Sequence, residues 1–200
     1  MTSVLVELKS LMTLFKFIAA SLLSFVCVLQ PAVAMPEDNV ALNQFYTQFS
    51  QAFEHLDADL VKSIYAEDAC YIPENQSKEI TMGRKNIIAL YKKFFGKIKH
   101  KEARIEVDFR VVERQMETTN ATDIGYYLIR FYPPVDAEEP VSEFAGKFVT
   151  VSKKNEDGKW YLTVDTNNRA EPPFYYNAKP SPNLYYGRQF TPLATENDDN

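Results

Sequence analysis

The stretch GKFVTVSKKNEDGKWYLTVD, residues 146–165, has the pattern of a long β-hairpin. Runs rich in β-branched and aromatic residues lie on both sides of the turn sequence Asn155-Glu156-Asp157-Gly158. An Asp-Gly pair between two such runs is a strong hairpin signal, because both residues tolerate the positive φ angles of a tight turn. We therefore predict that the last two strands of the domain are antiparallel neighbours.

Further helix and strand patterns precede this hairpin in a definite order. The predicted helices, taken from the spacing of apolar residues, cover residues 38–53, 57–65 and 82–96, with Gly96 ending the third. The predicted strands cover residues 69–72, 103–115, 123–132, 141–154 and 159–166. Three helices with one early strand, followed by four long strands, predict an α+β fold. In this fold a curved antiparallel sheet wraps around the three N-terminal helices.

Residues 1–34 have the pattern of a secretion signal. Lys9 and Lys16 precede an uncharged run at 17–29 that is too short to cross a bilayer. Ala32-Val33-Ala34 then supplies the small residues of a cleavage site. We therefore predict cleavage after Ala34 and an exported protein, either periplasmic or secreted. The alternative is a signal that stays attached as a membrane anchor.

The composition argues against several classes of function. The full chain has 22 basic and 27 acidic residues, and the predicted mature chain keeps 20 and 26 after losing two lysines and one glutamate. This acidic balance disfavours nucleic acid and membrane surfaces as partners. Of the histidines, His55 lies at the end of the first predicted helix and His100 in a lysine-rich turn, and no glycine-rich phosphate loop follows a strand. We therefore predict no metal site and no cofactor.

The order of these pieces resembles the SnoaL-like branch of the nuclear transport factor 2-like superfamily. The resemblance runs from about Val40 to Asn168. Its pieces are residues 45–53, 60–69, Tyr71-Ile72-Pro73, 83–87, 146–160, and 162–165 with Asn168. The resemblance implies a cone-like half-barrel with a pocket at its open end. Members of the superfamily include isomerases, cyclases, dehydratases, small-molecule binders and dimerisation modules, so the fold does not settle the function.

The sequence predicts four parts of the chain. After the predicted signal peptide, residues 35–168 form the SnoaL-like domain, 169–193 an aromatic and proline-rich extension, and 194–200 a disordered tail. The extension is too aromatic for ordinary disorder. We expect it to dock within the chain, across the sheet or the pocket mouth, and the alternative is a segment that binds a partner.

Asp165 is the candidate catalytic residue. A carboxylate within a strand and beside aromatic residues can have a raised pKa, which suits a general acid or base. Strict alternation along the last strand places Asp165 and Asn167 on one face, opposite Trp160 and Leu162. Alternation alone does not decide which face meets the pocket. The alternative is a structural carboxylate that pairs with a helix start or with Arg84 or Arg169.

The candidate ligand-binding residues are Tyr65, Tyr71, Tyr127 and Asn167. A tyrosine offers a ligand an apolar wall and one hydroxyl. Core packing is the alternative for each of these tyrosines.

Three functions are compatible with these patterns. The first is an exported domain that binds a small apolar or aromatic molecule. The second is an isomerase, cyclase or dehydratase that uses a carboxylate base and no cofactor. The third is a dimerisation or interaction module. We also expect a homodimer, because helices cover only one side of a curved sheet.

Overall fold

The structure of the protein is a computed structural model that describes residues 36–75 and 77–193. The predicted signal peptide and the predicted disordered tail lie outside the described residues, and both stay predictions.

In the part of the chain that the structure describes, three helices precede most of the sheet. They are α1 (Pro36–His55), α2 (Asp59–Lys62) and α3 (Arg84–His100). Helix α1 buries Leu42, Phe45, Phe49 and Phe53, which recur every three or four residues and therefore share one face. This face packs against the sheet and against α3, and it forms the main hydrophobic core with them.

Helix α3 does not end at Gly96, as predicted, but continues to His100. Phe95 and Ile98, on either side of this glycine, are buried in the main core. Burying two such side chains outweighs the cost of a helical glycine, which is about 1 kcal/mol relative to alanine. The chain leaves the helix at Lys101 and turns through Glu102, whose φ is 53°.

Among the described residues, the sheet has six strands and is not closed. The strands are β1 (Tyr65–Ile72), β2 (Thr81–Met82), β3 (Arg104–Met116), β4 (Asn120–Tyr132), β5 (Ser142–Lys154) and β6 (Trp160–Ala170). Their spatial order is β2-β1-β6-β5-β4-β3. All neighbours are antiparallel except β1 and β6, which run parallel, so the sheet is mixed rather than purely antiparallel. The predicted α+β class, with helices at the N-terminus of a curved open sheet, is confirmed.

The β5–β6 hairpin turns at residues 155–158, with Gly158 at a φ of 77°. Strand β6 contains a bulge, because Val151 pairs with Val164 but Ser152 pairs with Leu162. The extra residue, Thr163, donates a hydrogen bond from its hydroxyl to the Val151 carbonyl at 3.1 Å.

This bulge corrects the predicted alternation of β6. An extra residue reverses which face of the sheet each later side chain points to. Trp160 and Leu162 face the main hydrophobic core, and because of the bulge Asp165 and Asn167 point to the same side of the sheet. The predicted separation of these two pairs onto opposite faces is wrong.

The C-terminal extension docks on the sheet. It contains a short helix, α4 (Pro172–Asn177). Tyr175 and Phe190 are buried against Leu128 and Ala145, which point away from the helical core. Further along, the extension pairs with the free edge of β3, where the Val111 amide donates to the Tyr185 carbonyl at 2.9 Å. The extension therefore covers part of the outer face and one edge of the sheet.

The predicted homodimer would use the same outer face, which the extension already covers in part. The homodimer stays a prediction. In the described part of the chain, no helix is both long and apolar enough to cross a membrane.

Candidate functional site

A cavity of about 800 Å³ lies between α1, α3 and the inner face of the sheet. Its walls are mainly apolar side chains from all three, including Phe49, Phe53, Ile87, Val107, Phe109 and Phe148. Polar side chains interrupt these walls, including Tyr71, Tyr91, Tyr127, Thr150, Asp165 and Asn167. A mostly apolar cavity with a few converging polar groups is the usual form of a small-molecule site.

Asp165 lines this cavity and is 9% exposed. The Tyr65 hydroxyl donates a hydrogen bond to Asp165 Oδ2 at 2.5 Å. Within the described ranges, Asp165 Oδ1 accepts no hydrogen bond from the protein. Burial raises the pKa of Asp165 to about 6, although the hydrogen bond from Tyr65 opposes this shift. The carboxyl group therefore changes its charge close to neutral pH.

The arginines proposed as partners of Asp165 pair elsewhere. Arg84 forms an ion pair with Glu67, and the Nε of Arg169 lies 2.6 Å from Glu74 Oε1. The alternative in which an arginine neutralises Asp165 is therefore wrong. Burying a carboxylate without a cationic partner costs stability. Carboxyl groups with a strongly shifted pKa in a cavity are candidates for functional groups.

Tyr65 supports Asp165 from behind rather than lining the cavity. Its side chain is fully buried, and its hydroxyl lies 3.2 Å from the Tyr91 hydroxyl, which does line the cavity. Burial and the nearby Asp165 carboxylate raise the pKa of both tyrosines well above the usual value, so both stay protonated donors. Asp165, Tyr65 and Tyr91 thus form a continuous chain of polar groups.

Tyr91 was not among the predicted site residues. The residue follows Ile87 by one turn of α3, so a place on the buried side of the helix was evident from the spacing. A buried tyrosine hydroxyl normally needs a hydrogen-bond partner, and that requirement was the available signal. The partner itself comes from β1 and is not visible in the pattern of α3.

Tyr71 and Asn167 lie beside Asp165 in the cavity wall. Tyr71 is the register partner of Asp165 across the parallel β1–β6 pair, so both side chains share one face. Asn167 Nδ2 donates to the Tyr71 hydroxyl oxygen at 3.3 Å. The Tyr71 oxygen accepts this bond, and its own proton has no acceptor among the described residues. Tyr71 can therefore donate a hydrogen bond to a ligand next to Asp165.

Tyr127 lines the cavity from β4. Its ring lies directly over Gly146, where a Cβ atom would approach the ring carbon Cζ to 2.2 Å. Only glycine leaves room for this ring, so Gly146 places Tyr127 in the wall. Burial is the main cause of a strongly raised pKa of Tyr127, so this hydroxyl also stays protonated. The structure thus brings Tyr71, Tyr127, Asp165 and Asn167 together around one cavity.

The polar groups around Asp165 are of the kinds that acid–base chemistry uses. Within the described residues, no group of three or more His, Cys, Asp or Glu side chains comes together as a metal site. One carboxyl group with a pKa near neutrality and a neighbouring tyrosine donor can move a proton and stabilise an oxyanion.

Several solved structures have a similar fold. A ketosteroid isomerase-like protein from Erwinia carotovora atroseptica is 14% identical, with a TM-score of 0.54 over 69% of this chain and 100% of its own. ActVI-ORFA from Streptomyces coelicolor is 14% identical, with a TM-score of 0.56 over 65% of this chain and 95% of its own. A nuclear transport factor 2-like protein with a cystatin-like fold, from Novosphingobium aromaticivorans, is 13% identical, with a TM-score of 0.54 over 68% of this chain and 84% of its own.

The chain therefore has the fold of the nuclear transport factor 2-like proteins. The SnoaL-like resemblance predicted from residues 40–168 is confirmed at the level of this fold. No protein-family model matches the sequence, and no curated protein matches it.

Proposed function

We propose that this protein binds a largely apolar small molecule in the cavity and transfers a proton on it, with Asp165 as the acid–base group. The observation that carries the proposal is the environment of the Asp165 carboxyl group. This carboxyl group is buried in the wall of an apolar cavity, is held by Tyr65 and has no arginine partner. Among solved structures of the same fold is a ketosteroid isomerase-like protein, which agrees with proton-transfer chemistry on an apolar molecule.

The arrangement suits a substrate with an acidic C–H bond next to a carbonyl group. Asp165 takes the proton, and the electron pair of the C–H bond forms an enolate. The enolate oxygen accepts a hydrogen bond from the Tyr71 hydroxyl, which Asn167 orients. If the proton held by Asp165 first exchanges with solvent, return of a solvent-derived proton to the same carbon gives exchange, whereas return of a proton to another carbon gives isomerisation.

Proton exchange tests this function without knowledge of the natural substrate. We expect the protein to speed the exchange of α-protons for deuterium in 2-tetralone, a compact apolar ketone, when the loss of the proton NMR signal is followed in D₂O. Tight binding of apolar molecules with no exchange in any ketone tested would leave a binding protein and contradict the catalytic proposal.

Tyr65→Phe is expected to move the pH dependence of this exchange. The hydrogen bond from Tyr65 favours the ionised form of Asp165 and lowers its pKa. Its loss raises that pKa above about 6, so the base becomes available at higher pH and the rising limb of the rate profile shifts upward. Tyr161→Phe is the matched control, because Tyr161 binds the exposed Asp157 and does not line the cavity. An unshifted limb in Tyr65→Phe would contradict the assigned role of Asp165.

Export is part of the proposal. The predicted signal of residues 1–34 supports it. N-terminal sequencing of the protein from the extracytoplasmic fraction should begin near Met35. A protein that retains Met1 would contradict cleavage.

A further inference from the structure

The mouth of the cavity carries unpaired positive charge. Lys78, Lys93 and Lys97 line the cavity and are exposed, so they lie at its opening. The ion pairs of the described residues leave all three without an acidic partner. Glu79 is the single acid that accompanies them at the opening within the described part of the chain. The mouth is therefore positive, although the protein as a whole has a net charge of −5.

The positive charge comes mainly from one helix. Helix α3 contains no acidic residue. Lys93 and Lys97 are four residues apart and therefore lie one above the other on the same side of the helix. Leu90 and Phe94 line the cavity beside them, and each is 39% exposed. This side of α3 thus offers an apolar surface and two cations to anything that enters.

The interior has the opposite electrostatic character. Asp165 lies in the cavity wall without a cationic partner. An anionic group beside it would be repelled by the ionised carboxylate, whereas the same group at the mouth would meet Lys93 and Lys97. The charges therefore favour one orientation of a ligand, with its apolar part inside.

We propose that the cavity takes an amphipathic ligand, with an apolar body inside and an anionic group bound at the mouth by Lys93 and Lys97. This inference rests on the cavity as the ligand site of the proposed function. It adds the substrate class, an apolar molecule with a carboxylate or a similar anion at one end. It also fixes the orientation that presents the apolar end to Asp165.

Two fluorescent probes with one ring system test the anionic group. The first, 1-anilinonaphthalene-8-sulfonate, carries an anion, and N-phenyl-1-naphthylamine is its neutral counterpart. We expect the double variant Lys93→Glu, Lys97→Glu to weaken binding of the sulfonate by about tenfold or more at low salt, because two attractive contacts become repulsive. Binding of the neutral probe should not change, which also shows that the variant keeps its cavity.

The matched control is the double variant Lys99→Glu, Lys101→Glu. These lysines lie at the same end of α3 but do not line the cavity, and the change in net charge is identical. We expect less than about a twofold effect on the sulfonate probe in this control. If both double variants weakened binding of the sulfonate probe equally, the effect would come from net charge, and the inference would be overturned. Unchanged sulfonate binding in the Lys93→Glu, Lys97→Glu variant would also overturn it.

Two further outcomes distinguish this inference from the proposed function and from binding to a membrane surface. If wild-type protein binds neither probe, the cavity is not a ligand site, and the proposed function fails with the inference. Sedimentation with phosphatidylglycerol vesicles distinguishes a free anionic molecule from a lipid headgroup in a bilayer. Vesicle binding that requires Lys93 and Lys97, with unchanged sulfonate binding, would assign the lysines to a membrane surface and overturn the inference.

Discussion

Asp165→Asn is expected to lower the rate of proton exchange by about 10²–10⁴-fold, the usual contribution of a general base. Asparagine keeps an oxygen that can accept the hydrogen bond from Tyr65, but it cannot take up a proton. Binding of a neutral apolar probe should stay within about twofold of wild type, because the change preserves the shape of the cavity wall. Exchange kinetics by NMR and probe fluorescence measure the two effects separately.

The same variant is expected to be more stable than wild type above pH 6. The folded-state pKa of Asp165 is about 6, against a usual value of 3.8. The folded protein therefore holds a proton that the unfolded chain has lost, and stability falls as the pH rises between these values. The full cost above pH 6 is about 3 kcal/mol, which asparagine avoids. In a domain of this size the gain corresponds to a melting temperature higher by about 6 to 12 °C at pH 8.

The pH dependence of this gain identifies its cause. At about pH 3 and below, Asp165 is largely protonated in both the folded and the unfolded state, so the two proteins should melt at similar temperatures. Asp108→Asn is the matched control. Asp108 is also buried, but it accepts hydrogen bonds from the Tyr175 hydroxyl and the Gln189 amide at the outer face of the sheet. This control should keep proton exchange and lose stability. A large loss of stability in Asp165→Asn would instead indicate a structural carboxylate.

Arg114→Met is expected to lower the free energy of unfolding by about 3–5 kcal/mol, as breaking a buried ion pair typically does. The side chains of Arg114 and Asp123 are 2% and 5% exposed. Two hydrogen bonds join them, from Nε to Oδ1 at 2.6 Å and from Nη2 to Oδ2 at 2.7 Å. The same guanidinium donates to Asn39 and Asn43 of α1. Its removal leaves the Asp123 charge buried and loosens α1 from the sheet.

A second substitution separates the buried charge from the lost packing. The double variant Arg114→Met, Asp123→Asn has no buried charge at this position and still offers an acceptor to the Tyr46 hydroxyl, which donates to Asp123 at 2.6 Å in the wild type. We therefore expect the double variant to be more stable than Arg114→Met alone. Urea unfolding, monitored by circular dichroism, gives the free energy of unfolding of each variant. A double variant that is less stable than Arg114→Met would contradict a buried, unpaired Asp123 charge as the cause of the loss.

Much of the fold was predictable because its signals are local. The Asp157-Gly158 turn and the β-branched runs around it depend on the backbone preferences of adjacent residues. The third helix was predicted with the wrong end, since the cost of Gly96 is local, whereas the burial of Phe95 and Ile98 that offsets it comes from other elements. The start of β1 at Tyr65 was missed for the same reason, because its backbone pairs with β6, which lies far along the chain.

The candidate site was predictable as a set of residue types but not as an arrangement. Of the five predicted site residues, Asp165, Tyr71, Tyr127 and Asn167 line one cavity, whereas Tyr65 is buried behind Asp165. The bulge at Thr163 decides that Asp165 shares the inner face with Leu162, and strict alternation had placed these two residues on opposite faces.

The sequence by itself determined the class of the fold, the order of its elements and the residue types available for chemistry, because turn preferences and apolar spacing act over a few residues. Tertiary structure alone decided that Tyr65 holds Asp165, that Arg84 and Arg169 pair with glutamates instead, and that Lys93 and Lys97 meet the cavity mouth. Each of these contacts joins residues far apart in the chain. The pKa of Asp165 depends on its burial and on its distance from other groups. Both arise only when the sheet packs against the helices.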